Sequence, residues 1–246
     1  MFYFGDNKKI VYIILAVLVV SSLARMTQDT LLGILLSLPG VIIAITFHEF
    51  AHAFMAYKLG DDTPKMQGRL NLNPLSHMDP VGIVLLIFAH IGWGKPVEIN
   101  PRNFDRKITM EKGEALVSIA GPLMNFLIAI IFTIIYFVIV KFIPVIILSE
   151  YGKIIEIILL STISVNVGLG VFNLIPIPPL DGSKIFRMFM PYNVKSWLDK
   201  YQSIFYMIFL ILWVTGLLGI IVSPVIDVVE VVLFKLMGFI FGIQLI

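Results

Sequence analysis

The sequence predicts an all-α polytopic membrane protein of about six transmembrane helices, with a short re-entrant or β-hairpin element between the second and third. Three observations carry this. Of 246 residues, 59% are apolar and only 14% charged, against about 45–50% and about 25% in soluble globular chains. The mean hydropathy is +0.97. The apolar residues also fall in runs near the ~20 residues that cross ~30 Å of hydrocarbon as a helix. A soluble enzyme, a disordered chain and a disulfide scaffold are thereby excluded. The absence of Cys removes thiolate metal sites, iron–sulfur clusters and Cys nucleophiles. A net charge of +2 with no Lys/Arg run gives no basis for a nucleic-acid partner.

In chain order the spans are expected at Ile10–Ala24, Leu31–Leu59, Ala115–Val140, Ile154–Ile175, Ile204–Val222 and Val225–Ile243. The first follows Lys8 and Lys9 and ends in Ser22-Leu23-Ala24, so it also has the outline of a cleavable signal segment. Val81–Trp93 is too short to cross and reads as re-entrant or interfacial. On either side of it, Met66–Asn73 and Pro96–Asn100 are bounded by Gly and Pro and read as short strands of a small interfacial sheet, giving an element over 66–100. No repeat, low-complexity tract or appended soluble domain is evident, so residues 1–246 are expected to form a single membrane domain.

The basic residues give this map a direction. One side receives Lys8, Lys9, Lys58, Lys65, Arg69, Lys95, Arg102, Arg106, Lys107, Lys112, Lys184, Arg187, Lys195 and Lys200. The other receives Arg25, Lys141 and Lys153, and Lys235 lies within the last span. Fourteen against three places both long loops and both termini in the cytoplasm. Keeping Lys8 and Lys9 on the majority side favours a retained first span.

His48-Glu49-Phe50-Ala51-His52 lies inside the second span. Residues i and i+4 share a helix face, so the two imidazoles can converge on one ion. Glu49 is ~100° further round, where a general base for metal-activated water belongs. With four His and seven Glu in the chain, the pattern would arise by chance only roughly 0.002 times. Placing three ionisable side chains in a membrane helix costs several kcal/mol on most scales, which argues against incidental packing.

Two imidazoles and water leave a catalytic zinc site one ligand short, with the remaining acids and His near membrane depth as candidates. Asn173-Leu174-Ile175-Pro176-Ile177-Pro178-Pro179-Leu180-Asp181-Gly182 stands out. Three prolines remove backbone donors and push the residues before them out of the α region, so the helix should unwind near Ile175. Spans two and four run in the same direction, which delivers His52 and Asp181 to the same side.

Together, His48-Glu49-x-x-His52 and Asn173-x-x-Pro176-x-Pro178-x-x-Asp181-Gly182 resemble the site-2 protease family of intramembrane zinc metalloproteases. Gly121-Pro122-Leu123-Met124-Asn125 matches a further family element. Gly68-Arg69-Leu70-Asn71-Leu72-Asn73-Pro74, Asp79-Pro80-Val81-Gly82 and Gly92-Trp93-Gly94-Lys95-Pro96-Val97 resemble a bacterial subgroup of compact members. The resemblance covers roughly Val41–Pro191 and includes no PDZ or CBS module. It implies one Zn2+ per chain on His48, His52 and Asp181, with Glu49 as catalytic base. It further implies Asn173 and Asn125 as donors to the carbonyl oxygen under attack. The substrates it implies are single-span membrane proteins cut within or near the bilayer, in a bacterial cytoplasmic membrane. A membrane hydrolase of a lipid or small peptide and a zinc-dependent transporter remain alternatives, though transport would spread metal-ligating acids along the spans.

Other polar residues have plainer readings. His77 lies in a turn-rich stretch and reads as a loop residue. His90 reads as a structural or gating residue near the re-entrant segment. Asp227 and Glu230 share a face of the last span and are open between function and interfacial placement. Glu156 reads as interfacial, and Gly168 and Gly170 as helix-packing positions.

Overall fold

The computed structural model describes residue 20, residues 27–83 and residues 94–243. The expected first span and most of Val81–Trp93, His90 included, lie outside the described residues. Four long apolar helices form the frame: α1 (Gln28–Lys58), α4 (Met110–Phe142), α6 (Glu150–Asn173) and α10 (Leu217–Phe241). Short helices link them: α2 (Thr63–Met66), α3 (Pro74–His77), α5 (Pro144–Leu148), α7 (Asp181–Arg187), α8 (Tyr192–Lys200) and α9 (Gln202–Val214). Each long helix exceeds the ~20 residues a crossing requires. Outward-facing Leu127, Ile131, Ile134 and Val138 leave α4 with an apolar surface suited to lipid.

Close approach sets the geometry of the bundle. A Cβ on Gly40 of α1 would lie 2.7 Å from the Thr162 Cα of α6, so the two backbones touch there without an intervening side chain. Ala129, Ile163, Val167, Val171, Leu180, Phe209, Leu218 and Val222 form one buried cluster tying α4, α6, α9 and α10 together. Thr109 caps α4 by accepting from the Lys112 N–H, and Ser149 caps α6 by accepting from Gly152.

The last two helices differ from the expected spans at 204–222 and 225–243. The chain turns at Gly216, whose φ of +75° suits a residue without a Cβ, and not at Ser223-Pro224. Pro224 lies within α10. The 13 residues of α9 reach only about 20 Å at 1.5 Å per residue. Phe172, at the end of α6, meets Phe209 and Trp213 of α9, and Leu218 joins the same cluster. At its other end α10 meets the end of α4: Phe137 packs on Phe241, and Lys141 Nζ donates to the Phe241 carbonyl at 2.6 Å. Helices α4 and α10 therefore run in the same direction. The described end of the chain lies at the opposite end of the bundle from the loop joining α1 to α4.

No strand forms among the described residues, so the strands expected within 66–100 are a correction. The polar groups that a ladder would have used are taken locally. Asn71 Oδ1 accepts from Asn73 N, and Asn73 Oδ1 from Leu75 N, making side-chain turns. One antiparallel bridge, Met78 to Gly94, remains. Residues 95–100 are extended but bonded mostly to side chains. Asp61, fully buried, accepts from Thr63 N and Oγ1, Asn100 N and Asn103 Nδ2 at 2.6–3.1 Å. Burial alone would raise its carboxyl, but those hydrogen bonds hold it below the ordinary carboxylate value.

Candidate metal centre

Helix α1 carries His48 and His52 one turn apart on the face turned toward α4. The rings can lie there because residue 121 of α4 is Gly. A Cβ at that position would come within 2.5 Å of His52 Nε2 and 2.6 Å of His48 Cε1. Asp181 arrives from the far side of the chain at the start of α7. The proline-rich turn before it packs so tightly that a Cβ on Gly182 would lie 2.4 Å from the carbonyl oxygens of Leu174 and Ile175.

The three side chains meet. His48 Nε2 lies 3.2 Å and His52 Nε2 3.1 Å from Asp181 Oδ2, and the two Nε2 atoms are 3.0 Å apart. Their side-chain exposures are 8%, 11% and 14% for His48, His52 and Asp181.

The outer nitrogens fix the tautomers. His52 Nδ1 lies 2.7 Å from the Val117 carbonyl, which can only accept, so Nδ1 carries the proton. Pro122 removes the N–H that would have bonded Ser118 O, loosening α4 next to this contact. His48 Nδ1 lies 2.7 Å from Asn125 Oδ1. Both Asn125 amide hydrogens are directed elsewhere, to Ala44 O and Asn166 Oδ1 at 3.1 Å each, so Oδ1 is the acceptor here too. With both rings neutral, each Nε2 presents a lone pair. Three acceptor atoms at this spacing repel one another unless a proton or a metal ion lies between them.

Zinc fits that requirement. Tetrahedral ligands at 2.0–2.2 Å from the metal are separated by about 3.3–3.6 Å, a few tenths of an ångström longer than the edges of this triangle. His₂Asp without thiolate is a borderline-hard donor set that suits zinc. Among the described residues, these three are the one group of His and acidic side chains positioned to hold a metal.

Glu49 stays outside the triangle. Its Oε2 accepts from the Val97 N–H at 3.0 Å, and Gly94 passes so close that a Cβ there would lie 3.5 Å from Oε1. Asn125 does not sit as expected of an oxyanion donor, because both its N–H groups are engaged and its oxygen faces His48. Asn173, the last residue of α6, directs Nδ2 back to Leu169 O at 3.0 Å. His77 is fully buried, with Nε2 2.7 Å from Asn71 O and no part in the triangle. Asp227 is exposed, whereas Glu230 is part-buried with Oε1 unpartnered. Glu156 accepts from Tyr136 at 3.1 Å.

Two contributors had escaped the sequence reading. Asn166, fully buried in α6, holds Asn125 and donates to Thr162 O at 2.8 Å. Its signal was present: an amide inside an apolar span needs a partner. Val117 contributes a backbone carbonyl, which residue identity does not announce.

The model of Peptidase family M50 matches residues 139–216. "Putative zinc metalloprotease YwhC" of Bacillus subtilis (strain 168) is 36% identical over 211 residues, covering 82% of this chain and 90% of YwhC. "Putative zinc metalloprotease Rip2" of Mycolicibacterium smegmatis is 33% identical over 100 residues, covering 39% of this chain and 38% of Rip2. Its namesake in Mycobacterium tuberculosis is 32% identical over 95 residues, 37% of this chain and 36% of the relative. No solved structure matches the chain significantly. With a His₂Asp triangle inside a membrane helix bundle and near full-length similarity to YwhC, the chain belongs to Peptidase family M50, the site-2 protease family of intramembrane zinc metalloproteases.

Proposed function

We propose that this chain hydrolyses a peptide bond of single-span membrane proteins within or near the bilayer, in regulated intramembrane proteolysis. The observation that carries the reading is the triangle of His48, His52 and Asp181 at 3.0–3.2 Å with Glu49 one residue along the same helix. In this assignment His48, His52 and Asp181 are the zinc ligands. A zinc ion held by these three side chains would supply Lewis acidity toward the scissile carbonyl and lower the pKa of water. Glu49 accepts the proton of the attacking water and returns it to the leaving amine. Asn173 has one amide hydrogen left and donates it to the developing oxyanion, a contact worth about 2.7–4 kcal/mol in other proteases. Asn125 serves the same reaction by holding His48 in the metal-binding tautomer.

The bundle belongs to a bacterial cytoplasmic membrane, with the loop 59–109 and the segment 174–201 in the cytoplasm. The lysine and arginine asymmetry supports that orientation. With 10–24 as a retained first span and one crossing after α6, the count becomes five. The N-terminus is then cytoplasmic and the end of α10 external. All five spans form one peptidase domain.

The test compares wild type with Glu49→Gln, both reconstituted in lipid bilayers with a panel of single-span membrane proteins. Equal zinc content with cleavage lost at least about 10²-fold in the variant is expected. A variant that still cuts a transmembrane protein would remove Glu49 from the chemistry. A wild type that cuts none but hydrolyses a lipid or small peptide would replace the substrate class.

A further inference from the structure

The Glu49 carboxylate is held by a backbone amide, and that amide belongs to a segment with no ladder to hold it. Residues 94–97 run past the centre as an extended strap. Lys95 N donates to His77 O at 2.8 Å, and Val97 N reaches Glu49 Oε2 at 3.0 Å. The carbonyls between them, Lys95 O and Pro96 O, both accept from one atom, Arg69 Nη2, the second at 3.1 Å. Pro96 has no N–H to offer a neighbouring strand, so beyond the Met78–Gly94 bridge and the Lys95 N–H bond the strap is held by this guanidinium.

Arg69 is itself fixed and only 4% exposed. Its backbone N–H donates to Pro64 O at 2.8 Å, which ties it to α2. Its Nη1 is buried without a partner. Burying a guanidinium with one nitrogen unsatisfied costs free energy that an apolar residue of similar size would avoid. An extended segment needing only to be covered would not require such a group. Two adjacent carbonyls gripped from one side use the two hydrogens of Nη2, whose directions the planar guanidinium fixes, whereas the donors of an ammonium rotate freely.

We propose that Arg69 is a positioning residue for the general base: it clamps the Lys95 and Pro96 carbonyls so that the Val97 N–H holds Glu49 Oε2 in place beside the metal centre. The inference rests on the assignment of Glu49 as base. Arg69 makes no hydrogen bond or ion pair to the metal-site residues; it acts through the strap. Loss of the clamp therefore affects how well the carboxylate is aimed more than how tightly zinc or substrate binds. A misplacement of about 1 Å at a catalytic group is enough to cost about 10²-fold in rate.

The experiment uses the full chain in lipid bilayers. Wild type, Arg69→Gln, Arg69→Lys and, as a charge control on the same loop, Arg102→Gln are compared on a cleaved single-span substrate. Arg69→Gln is expected to lower kcat about 10²-fold with KM within about twofold and zinc content unchanged. Arg69→Lys, which keeps the charge on a shorter side chain without the fixed planar donor directions, falls between. Hydrogen exchange at the Val97 amide supplies a readout independent of turnover. It is expected to be slow in wild type, fast in Arg69→Gln, and fast again in Glu49→Ala, where the acceptor is gone. Unchanged kcat and unchanged Val97 exchange in Arg69→Gln would overturn the proposal. So would loss of zinc and helix content in both Arg69 variants, which would make the residue structural only. If instead Glu49→Gln stays active while the exchange results hold, the base assignment fails and the clamp stands.

Discussion

A histidine is a zinc ligand only if the correct nitrogen is free, and this chain settles that choice with two different acceptors. His52 uses a backbone carbonyl on α4, and His48 uses the Asn125 side chain. Such outer partners commonly affect metal affinity by 10–100-fold when removed. Asn125→Ala is therefore expected to weaken zinc binding about 10- to 100-fold while leaving the fold intact. Competition against a chromogenic chelator would measure it, and an unaltered affinity would show that His48 needs no help. Asn166 acts one step further back, so its loss should be felt less, through freedom gained by Asn125.

Among the elements, the described parts of the loop between α1 and α4 hold the Val97 amide that meets Glu49 and only short helices. Its organiser is Asp61, which collects four hydrogen bonds from Thr63, Asn100 and Asn103. Because its folded pKa is depressed, it stabilises the loop fully above the ordinary carboxylate value of about 3.9. That contribution is lost as the pH falls through the depressed folded value. Asp61→Asn replaces an acceptor with an N–H that faces other donors, at a cost of about 1–3 kcal/mol. Faster proteolytic nicking within 59–109 at neutral pH is the expected result, with the wild-type loop approaching the variant only in acid. Equal nicking rates at neutral pH would show that Asp61 does not organise the loop.

For the whole molecule, the direction of α10 is the decisive feature. The pairing of Phe137 with Phe241 and of Lys141 with the Phe241 carbonyl places the end of α10 at the opposite end of the bundle from the 59–109 loop. The chain contains no Cys, so single cysteines report cleanly. Gln67→Cys and Ile243→Cys are expected to react with a membrane-impermeant maleimide from opposite faces, position 67 from the cytoplasm. Labelling of both from one face would restore a second crossing between α6 and the end of the chain. Lys and Arg counting does not decide this point, since no basic residue follows Lys235.

Some of this architecture lies in the chain's linear pattern. Apolar runs of sufficient length identify α1, α4 and α6 because hydrocarbon requires every backbone polar group to be satisfied within a helix. The spacing of His48 and His52 puts them on one face, and the prolines before Asp181 interrupt a helix that would otherwise have carried it past the site. Other features depend on partners distant in sequence. Whether Asn125 turns its oxygen or its amide toward the metal centre depends on Asn166 and Ala44. Whether 95–100 pairs as a strand depends on Arg69, Asp61 and Glu49 taking its polar groups first. Whether the apolar stretch from 202 to 243 crosses once or twice depends on aromatic packing at both ends of α10, because Gly216 and Pro224 are each plausible breaks and only tertiary contact selects between them. Local sequence determined where most of the long apolar helices run and which side chains are candidates for the chemistry; the contacts between helices decided where those side chains point, because a hydrogen-bond acceptor is chosen by what folds against it.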